Sequence, residues 1–256
     1  MAYTTIDLPT DYFNTVTWTG DGSSSRNITG VGFQPDWVWV KCRNAAVSHA
    51  VYDSVRGASK LINTNTTSAE GTNPAVNAFI SDGFTVNSDS YVNLSSNTYV
   101  GWNWLAGGTA SSNTDGSITS SVSANTTAGF SIVSYTGTGS NATIGHGLGA
   151  VPAWIITKNR DATQPWRVYH KGVDASAPED FGLILNDTSV RDNDNTAWND
   201  TAPTSSVFSL GTWSGNDDGR EKSGRGWFQF SSSNSAKGEL FIHCGDESAV
   251  EIEYQT

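Results

Sequence analysis

The sequence is poor in positive charge. Lysine and arginine together number 14, against 25 aspartates and glutamates, which gives a formal net charge of −11. Proteins that bind DNA or RNA neutralise phosphates with clusters of basic side chains, and this sequence contains no such cluster. We therefore expect no nucleic-acid partner and interpret the acidity as a contribution to solubility.

Long apolar runs and cysteines are also scarce. No apolar stretch approaches the roughly 18 residues of a membrane span, and the first residues lack the basic and apolar regions of a signal peptide. We therefore expect no membrane partner and folding in a cytoplasm. The two cysteines are Cys42 and Cys244, and neither has a neighbour at metal-ligand spacing. Two buried free thiols are favoured, and a disulfide between them stays open.

Motifs of known catalytic and metal sites are absent as well. The four histidines are scattered, and no nucleophile, phosphate-binding or kinase motif occurs. Asp192–Asn195 and residues 217–219 could offer oxygen ligands to Ca²⁺, but neither follows the spacing of a calcium loop, which favours ordinary polar turns. A glycosidase needs two carboxylates across a cleft, and the sequence alone pairs none. We expect no metal, no cofactor and no enzymatic activity.

The residues that are abundant predict a β-protein. The chain has 10 tryptophans but 1 methionine, and charged residues make up only 15% of it, so serine, threonine, asparagine and glycine supply most of the polar surface. These residue types favour strands and turns over helices. No segment shows a helical period of useful length. We therefore predict an all-β fold of antiparallel strands with very little helix.

The chain also matches itself. When it is shifted by 117 positions, Val16–Tyr52 aligns without a gap with Val133–Tyr169. The identical pairs include Gly20 with Gly137, Pro35 with Pro152, Trp37 with Trp154, Lys41 with Lys158 and Arg43 with Arg160. So many matches in one register predict two tandem copies of one β-sandwich unit of the lectin or jelly-roll kind.

The repeat sets the predicted domain boundaries. Residues 1–110 form the first unit, and residues 111–128 are predicted to be a Ser/Thr/Gly-rich linker because they contain little apolar surface. Residues 129–256 form the second unit. This unit carries extra C-terminal strands, at Leu240–Cys244 and Val250–Tyr254, that have no counterpart in the first.

The stretch Gln34–Arg43, QPDWVWVKCR, raises the question of which side of a strand is buried. One side carries two tryptophans followed by Lys41 and Arg43, and its counterpart in the second copy keeps that character. The other side drifts from apolar to polar between the copies. Because a core face is constrained and a solvent face can drift, the tryptophan side is predicted to be the core. The basic residues at its end are expected to form structural ion pairs, with Asp53 as partner of Arg43 or Arg56.

The tryptophans fall into two predicted groups. Those at alternating strand positions are predicted to fill the core, namely Trp37, Trp39, Trp102, Trp104, Trp154 and Trp227. Those in polar, loop-like surroundings are the candidate ligand-binding residues, namely Trp166, Trp198 and Trp213. An exposed tryptophan beside Asn and Asp can stack on a sugar ring, although single exposed aromatics are common on protein surfaces.

An ordered set of segments carries a resemblance to a known family. In the first copy these are QPDWVWVKCR, YDSVRGASK, NTTSAE, SDGFTV and TYVGWNWLAGG; in the second they are GFSIVSYTGTGSNATIGHGLGAVPAWIITKNR and WNDTAPTSSVFSLG. They resemble a β-rich repeat domain of the structural proteins of marine tailed bacteriophages, of the tail-fibre or virion type. The resemblance covers about residues 1–212, and the chain departs from the family pattern after Gly211.

The resemblance implies a non-enzymatic virion protein that folds in the host cytoplasm and is exposed on the particle surface. We expect a tail appendage or fibre-type protein that contributes to host attachment, with other virion proteins and a host-surface glycan or protein as partners. A capsid decoration protein is the alternative, and a polysaccharide-degrading enzyme is a third. Phage surface proteins commonly form trimers, so a homo-oligomer is expected. The departure after Gly211 favours a compact protein over a fibre shaft.

Overall fold

The computed structural model describes residues 8–215 and the backbone of residues 225–231. Within them the chain consists almost wholly of antiparallel strands and loops. Helix is limited to α1 (Asn195–Trp198) and to 3-10 turns at Pro9–Asp11 and Pro178–Asp180. The predicted all-β fold with very little helix is confirmed. None of these helices is long and apolar enough to cross a membrane.

The first half, residues 8–110, contains two antiparallel sheets. Its strands are β1 (Phe13–Thr19), β2 (Arg26–Thr29), β3 (Trp37–Cys42), β4 (Ala50–Asp53), β5 (Lys60–Asn63), β6 (Gly71–Thr72), β7 (Val76–Ile80), β8 (Gly83–Val86) and β9 (Thr98–Trp104). The first large sheet has the order β1-β9-β3-β4-β5-β6. The first small sheet has the order β2-β8-β7. The short strands and glycine-containing turns follow the strand and turn signals of the sequence.

The second half, residues 111–231, also contains a large and a small sheet. Its strands are β10 (Ser111–Asn113), β11 (Ser120–Asn125), β12 (Phe130–Tyr135), β13 (Ala142–Gly145), β14 (Pro152–Lys158), β15 (Arg167–His170), β16 (Phe181–Ile184), β17 (Asp192–Asn193), β18 (Val207–Leu210) and β19 (Arg225–Ser231). The second large sheet has the order β10-β11-β12-β19-β14-β15-β16-β17. The second small sheet pairs β13 with β18.

The two halves share a strand order. Strands β1, β9, β3, β4, β5 and β6 of the first large sheet correspond in turn to β12, β19, β14, β15, β16 and β17 of the second. In the small sheets, β2 pairs with β8 as β13 pairs with β18. A duplication predicts this correspondence, and the duplication itself stays a prediction. The second large sheet differs by having β11 and β10 beyond β12.

Three hydrophobic cores in the described residues hold the four sheets together. The first core, which includes Val38 and Phe84, lies between the first large and small sheets. The second core, which includes Ile155 and Phe208, does the same in the second half. The shared core draws on both halves and contains Trp37, Val51, Ile62, Trp104, Ala106, Phe130, Ile132, Ile156, Trp166 and Val168. Each large sheet is therefore covered on both faces in sandwich-like layers.

The tryptophan side of β3 faces the shared core. Trp37 is 3% exposed and Trp104 on the neighbouring strand β9 is 7% exposed. Trp39, Trp102 and Trp154 are half-buried and pack against the same core. The aromatic stripe of the sequence therefore joins one half of the molecule to the other, and burying such large side chains contributes strongly to their association.

The opposite side of β3 and β14 is buried as well, so the expectation that it faces solvent is wrong. Its residues are each at most 1% exposed, namely Val38, Val40, Cys42, Ile155, Thr157 and Asn159. The drift towards polar residues reflects buried hydrogen bonds, since Asn159 Nδ2 donates to Ser214 O at 2.9 Å. Cys42 is a buried free thiol, whereas Cys244 lies outside the described residues.

Residues 111–128, predicted to be a linker, instead supply strands β10 and β11 to the second large sheet. Val122 is 6% exposed within the second core. Ser120 Oγ donates to Gly145 O at 2.9 Å, and Ser123 Oγ donates to Gly108 O at 2.7 Å. The prediction was wrong because serines that bond to backbone carbonyls can occupy buried strand positions without apolar bulk.

The connection between the halves is held by one buried carboxylate. Asp36 is 1% exposed, and its Oδ2 accepts from Ala106 N at 2.9 Å and Gly108 N at 3.1 Å. Its Oδ1 accepts from Ser54 Oγ at 2.8 Å. These bonds form what we call the Asp36 junction. Because each carboxylate oxygen accepts at least one of these bonds, the buried side chain is satisfied and the chain leaving β9 is fixed in place.

Some predictions fall on residues that the structure does not describe. Trp227 belongs to β19, whose backbone pairs with β12 and β14, but its side chain is among those not described. The strands predicted at Leu240–Cys244 and Val250–Tyr254 lie outside the described residues, as does the acidic turn at 217–219.

Candidate functional site

Trp166, the first candidate ligand-binding tryptophan, lies inside the molecule. It is 2% exposed in the shared core, and its Nε1 donates to Asn63 O of the first half at 2.9 Å. Its polar sequence surroundings come from the adjoining loop, whereas the ring itself points between the two large sheets. The prediction that Trp166 binds a surface ligand is wrong, because its ring is already buried against the other half.

Trp198, the second candidate, is also buried, at 2% exposure. The acidic turn before it folds into α1, whose N-terminus Asp194 caps by accepting from Thr196 N. This single turn carries Trp198 into the second core, where its ring meets that of Tyr169 edge-on with centroids 6.0 Å apart. The prediction that Trp198 binds a ligand is therefore wrong as well.

Trp213, the third candidate, is less buried than the other two. It is half-buried, and its backbone N–H donates to Thr196 O at 2.8 Å, which fixes the loop after β18 against α1. The guanidinium carbon of Arg167 lies 5.3 Å from the centroid of the indole. A cation over the face of a tryptophan is attracted by the electrons of the ring. Trp213 is thus placed by contacts from two neighbouring elements.

Arg167 links Trp213 to two carboxylates. Its side chain is 3% exposed; NH1 lies 3.0 Å from Asp192 Oδ2 and NH2 lies 2.7 Å from Asp194 Oδ2. The Asp192 side chain is 52% exposed and the Asp194 side chain is 23% exposed, so both carboxylates lie at the protein surface. A Cβ on Gly182 would lie 2.3 Å from Arg167 Nε, which explains why glycine faces the guanidinium there. We call Arg167, Asp192, Asp194 and Trp213 the Arg167 cluster.

Sequence reasoning identified three members of this cluster but not the residue that joins them. Asp192 and Asp194 belong to the stretch considered for Ca²⁺, and the structure gives both an arginine partner. Within the described residues, no group of three or more His, Cys, Asp or Glu side chains could hold a metal ion. Arg167 stands where the first copy has Ala50, and that substitution within the repeat was the available signal.

A second charged group lies between the halves. Glu70 of the first half binds Arg160 of the second, with 2.8 Å from Arg160 Nε to Oε2 and 2.8 Å from Arg160 NH2 to Oε1. Arg56 NH1 also reaches Glu70 Oε2, at 3.0 Å, and Arg56 Nε donates to Asp53. Of the two arginines proposed as partners of Asp53, Arg56 is the one observed; Arg43 is exposed. We call these four residues the Glu70 network.

The Glu70 network holds the halves together and leaves little surface for a ligand. Burial alone would raise the pKa of Glu70, but the hydrogen bond from Arg160 and the charges of both arginines outweigh it and lower that pKa. Glu70 N also donates to Arg160 O at 2.8 Å. A bidentate contact of this kind fixes orientation as well as distance.

Two lysines at matching positions of the halves bond to backbone carbonyls, and one of them, Lys158, is fully buried. Lys158 Nζ donates to Asn159 O at 2.7 Å and Ala162 O at 3.3 Å, and its counterpart Lys41 donates to Cys42 O at 2.7 Å. Burial lowers the pKa of Lys158 to about 8. Since Lys158 is 0% exposed, its ammonium closes a loop after β14 and meets no substrate-accessible surface.

Comparison with known proteins identifies a family to which the chain belongs. Residues 8–250 match the family model described as "Domain of unknown function (DUF7483)", as one match across both halves. The chain belongs to this family. No curated protein matches it, and no solved structure does.

Proposed function

We propose that this member of the DUF7483 family is a non-enzymatic structural protein of a tailed-phage particle, carried on a tail appendage where it contributes to attachment to the host surface. The observation that carries the proposal is the Arg167 cluster, a half-buried tryptophan beside two carboxylates at the surface of an all-β body. The proposed location on a phage particle rests on the resemblance of the sequence to phage structural proteins.

The cluster has the chemistry of a carbohydrate contact. Trp213 is not fully buried, and an indole can stack on the apolar face of a sugar, while Asp192 can accept hydrogen bonds from the sugar hydroxyls. Arg167 contacts both the Trp213 ring and the Asp192 carboxylate and so fixes their positions. Little side-chain entropy is therefore lost when a ligand binds them. A host-surface glycan is therefore the proposed ligand, with a host protein as the alternative.

The carboxylates support a binding role over a hydrolytic one. A glycosidase requires a carboxylic acid whose pKa is raised so that it is protonated near neutral pH. Among the described residues, each carboxylate with a shifted pKa has it lowered, namely Asp21, Glu70, Asp82, Asp174 and Asp187. Asp192 and Asp194 are both engaged by the buried Arg167 side chain, at 3.0 Å and 2.7 Å.

Capsid decoration is the second candidate. It is favoured by the burial of Trp166 and Trp198, which moves two of the three proposed ligand residues into cores that stabilise the fold. It is also favoured by the two-half body, which the shared core and Glu70 network make rigid. A decoration protein needs a stable surface that binds the shell and requires no receptor site.

The location is tested by copy number in purified particles. Quantitative mass spectrometry of this chain against the major capsid protein should give a ratio far below one copy per several shell subunits, as on a tail or a unique vertex. A ratio near one copy per shell subunit, or one per several, would place the chain on the head and reject the attachment proposal.

The binding site is tested by substitution of Trp213. The full chain is screened on a glycan array, and the best glycan is titrated by calorimetry. Trp213→Ala should weaken binding about thirtyfold, the loss for an aromatic contact worth about 2 kcal/mol. Leu94→Ala is the control, since Leu94 is an apolar side chain of the first half with 46% exposure and should leave affinity unchanged. Equal affinity of both variants would reject the cluster as the site.

A further inference from the structure

Strand β1 has one edge paired with β9 and one edge open among the described residues. Leu105 N donates to Tyr12 O, and Gly20 N donates to Asn97 O, so even-numbered residues of this stretch direct their backbone groups towards β9. In an antiparallel strand the N–H and C=O of a residue point the same way and alternate along the chain. The backbone groups of Thr15, Thr17 and Thr19 therefore point to the open edge.

The second half shows what such an edge can hold. Strand β12, the counterpart of β1, is paired along this same edge with the antiparallel strand β11. A Cβ on Gly147 would lie 3.1 Å from Val122 Cγ1 of β11, whereas a Cβ on the matching Gly30 would meet nothing within 4 Å. Among the described residues, no strand occupies the position beside β1 that β11 occupies beside β12.

The open edge has little protection against pairing. β1 reads FNTVTWT and contains no charge and no proline, the residues that usually block an edge strand. Two groups do cap it, since Asn14 Oδ1 accepts from Thr15 N at 2.9 Å and Arg26 NH1 donates to Thr19 O at 2.7 Å. Within the described residues, the backbone groups of Thr17 are left without a cap.

We propose that this edge pairs with β1 of a second copy of the chain, antiparallel about a two-fold axis at Thr17. The matching edge of β12 holds an antiparallel strand, and two copies of β1 related by a two-fold axis would pair in that same antiparallel way. Each Thr17 N–H then donates to the partner's Thr17 carbonyl. No charged side chain of either strand faces another across the axis.

The two caps fit this register. With Thr17 at the axis, Thr15 stands opposite Thr19 of the other copy, so the capped N–H of Thr15 faces the capped carbonyl of Thr19. The caps therefore remove two symmetry-related bonds of the dimer and leave neither group unpaired. The two reverse bonds, from each Thr19 N–H to the Thr15 carbonyl of the other copy, stay available. This interface is a dimer contact and is independent of where the protein sits on a particle.

Native mass spectrometry and light scattering of the full chain over a range of concentrations test the proposal. The chain should form a dimer, and Thr17→Pro should raise its dissociation constant at least about tenfold by removing two edge hydrogen bonds. The ladder with β9 does not use Thr17 N–H, so Tm should change little. Thr17→Lys, which sets like charges opposite each other, is the second variant. Thr72→Lys, on the opposite edge strand of the same sheet, is the matched control and should keep the dimer.

Three results would overturn the proposal. One is a wild-type chain that stays monomeric throughout the concentration range. Another is a dimer that survives both Thr17 variants as well as it survives Thr72→Lys. The third is a full chain that is monomeric while a chain lacking residues 1–7 dimerises, which would mean that the chain's own first residues cover the edge.

Discussion

The two halves place different contacts on matching positions of the same strand order. Arg43 is exposed, whereas its counterpart Arg160 binds Glu70 of the other half. His49 is half-buried, whereas its counterpart Trp166 is 2% exposed in the shared core. At these two positions the second half supplies the side chain that crosses to the other half, and the first half does not. Identity of residue type between repeats did not guarantee identity of role.

The largest effect is expected at Trp166. Trp166→Ala removes a ring that both halves enclose and the bond to Asn63 O, so it should cost about 4 kcal/mol of unfolding free energy. His49→Ala, at the matching position, should cost less than about 1 kcal/mol. Urea unfolding followed by tryptophan fluorescence and circular dichroism measures both. Equal losses would show that the two positions support the fold to the same degree.

The next largest effect is expected at Arg160. Arg160→Ala leaves the Glu70 carboxylate, 12% exposed in its side chain, with one arginine in place of two and should cost about 3 kcal/mol. Arg43→Ala should stay within about 0.5 kcal/mol because that side chain is exposed. The measurement is again urea unfolding, here at neutral pH where Glu70 is ionised. A loss of stability in Arg43→Ala as large as in Arg160→Ala would contradict the asymmetry.

A smaller, pH-dependent effect is expected at His146, whose counterpart is Thr29. His146 is 0% exposed; its Nδ1 accepts from Leu148 N at 3.2 Å and its Nε2 lies 3.2 Å from Thr204 O, an arrangement that suits the neutral ring. Burial lowers the pKa of His146. The contribution of neutral His146 to the unfolding free energy is therefore complete above the unfolded-state pKa of about 6.5. It is lost as the pH falls below that value towards the folded-state pKa.

The measurement is the unfolding free energy of wild type and His146→Thr between neutral and mildly acidic pH. Wild type should lose up to about 1.4 kcal/mol per pH unit through this group, and the variant should show a shallower slope. Some slope should remain, because burial and the charge of Lys41 also lower the pKa of His49. Parallel pH profiles for the two proteins would show that His146 does not titrate on unfolding.

The sequence predicted the fold class because residue preferences for strands act locally. It could not predict what covers each strand face. The tryptophan side of β3 was expected to be the core face and the other side the solvent face. Val38 on that other side is nevertheless 0% exposed, because each large sheet separates two cores. Alternation defines two faces without naming their partners. The prediction for Trp166 was wrong for the same reason. Its sequence neighbours are polar because they lie in a loop, but its ring is buried against the other half.

The Arg167 cluster illustrates a second gap. Trp213 and the acidic residues were recognisable as candidates, but the arginine that unites them comes from β15, a strand distant in sequence. Nothing in local pattern links a strand arginine to a loop tryptophan and two turn aspartates. The serines of β11 show the converse case, because their burial depends on carbonyls of Gly145 and Gly108 that only the folded chain brings near.

The Asp36 junction has a mechanical consequence. In a string of independent modules, tension reaches each module through a slack connector, and the modules yield one after another. Here the connector is clamped where it leaves β9, and the flanking sheets press on each other through large aromatic rings. Load applied to one half therefore passes sideways through packed side chains as well as along the backbone, so the two halves resist stretching as one stiff element.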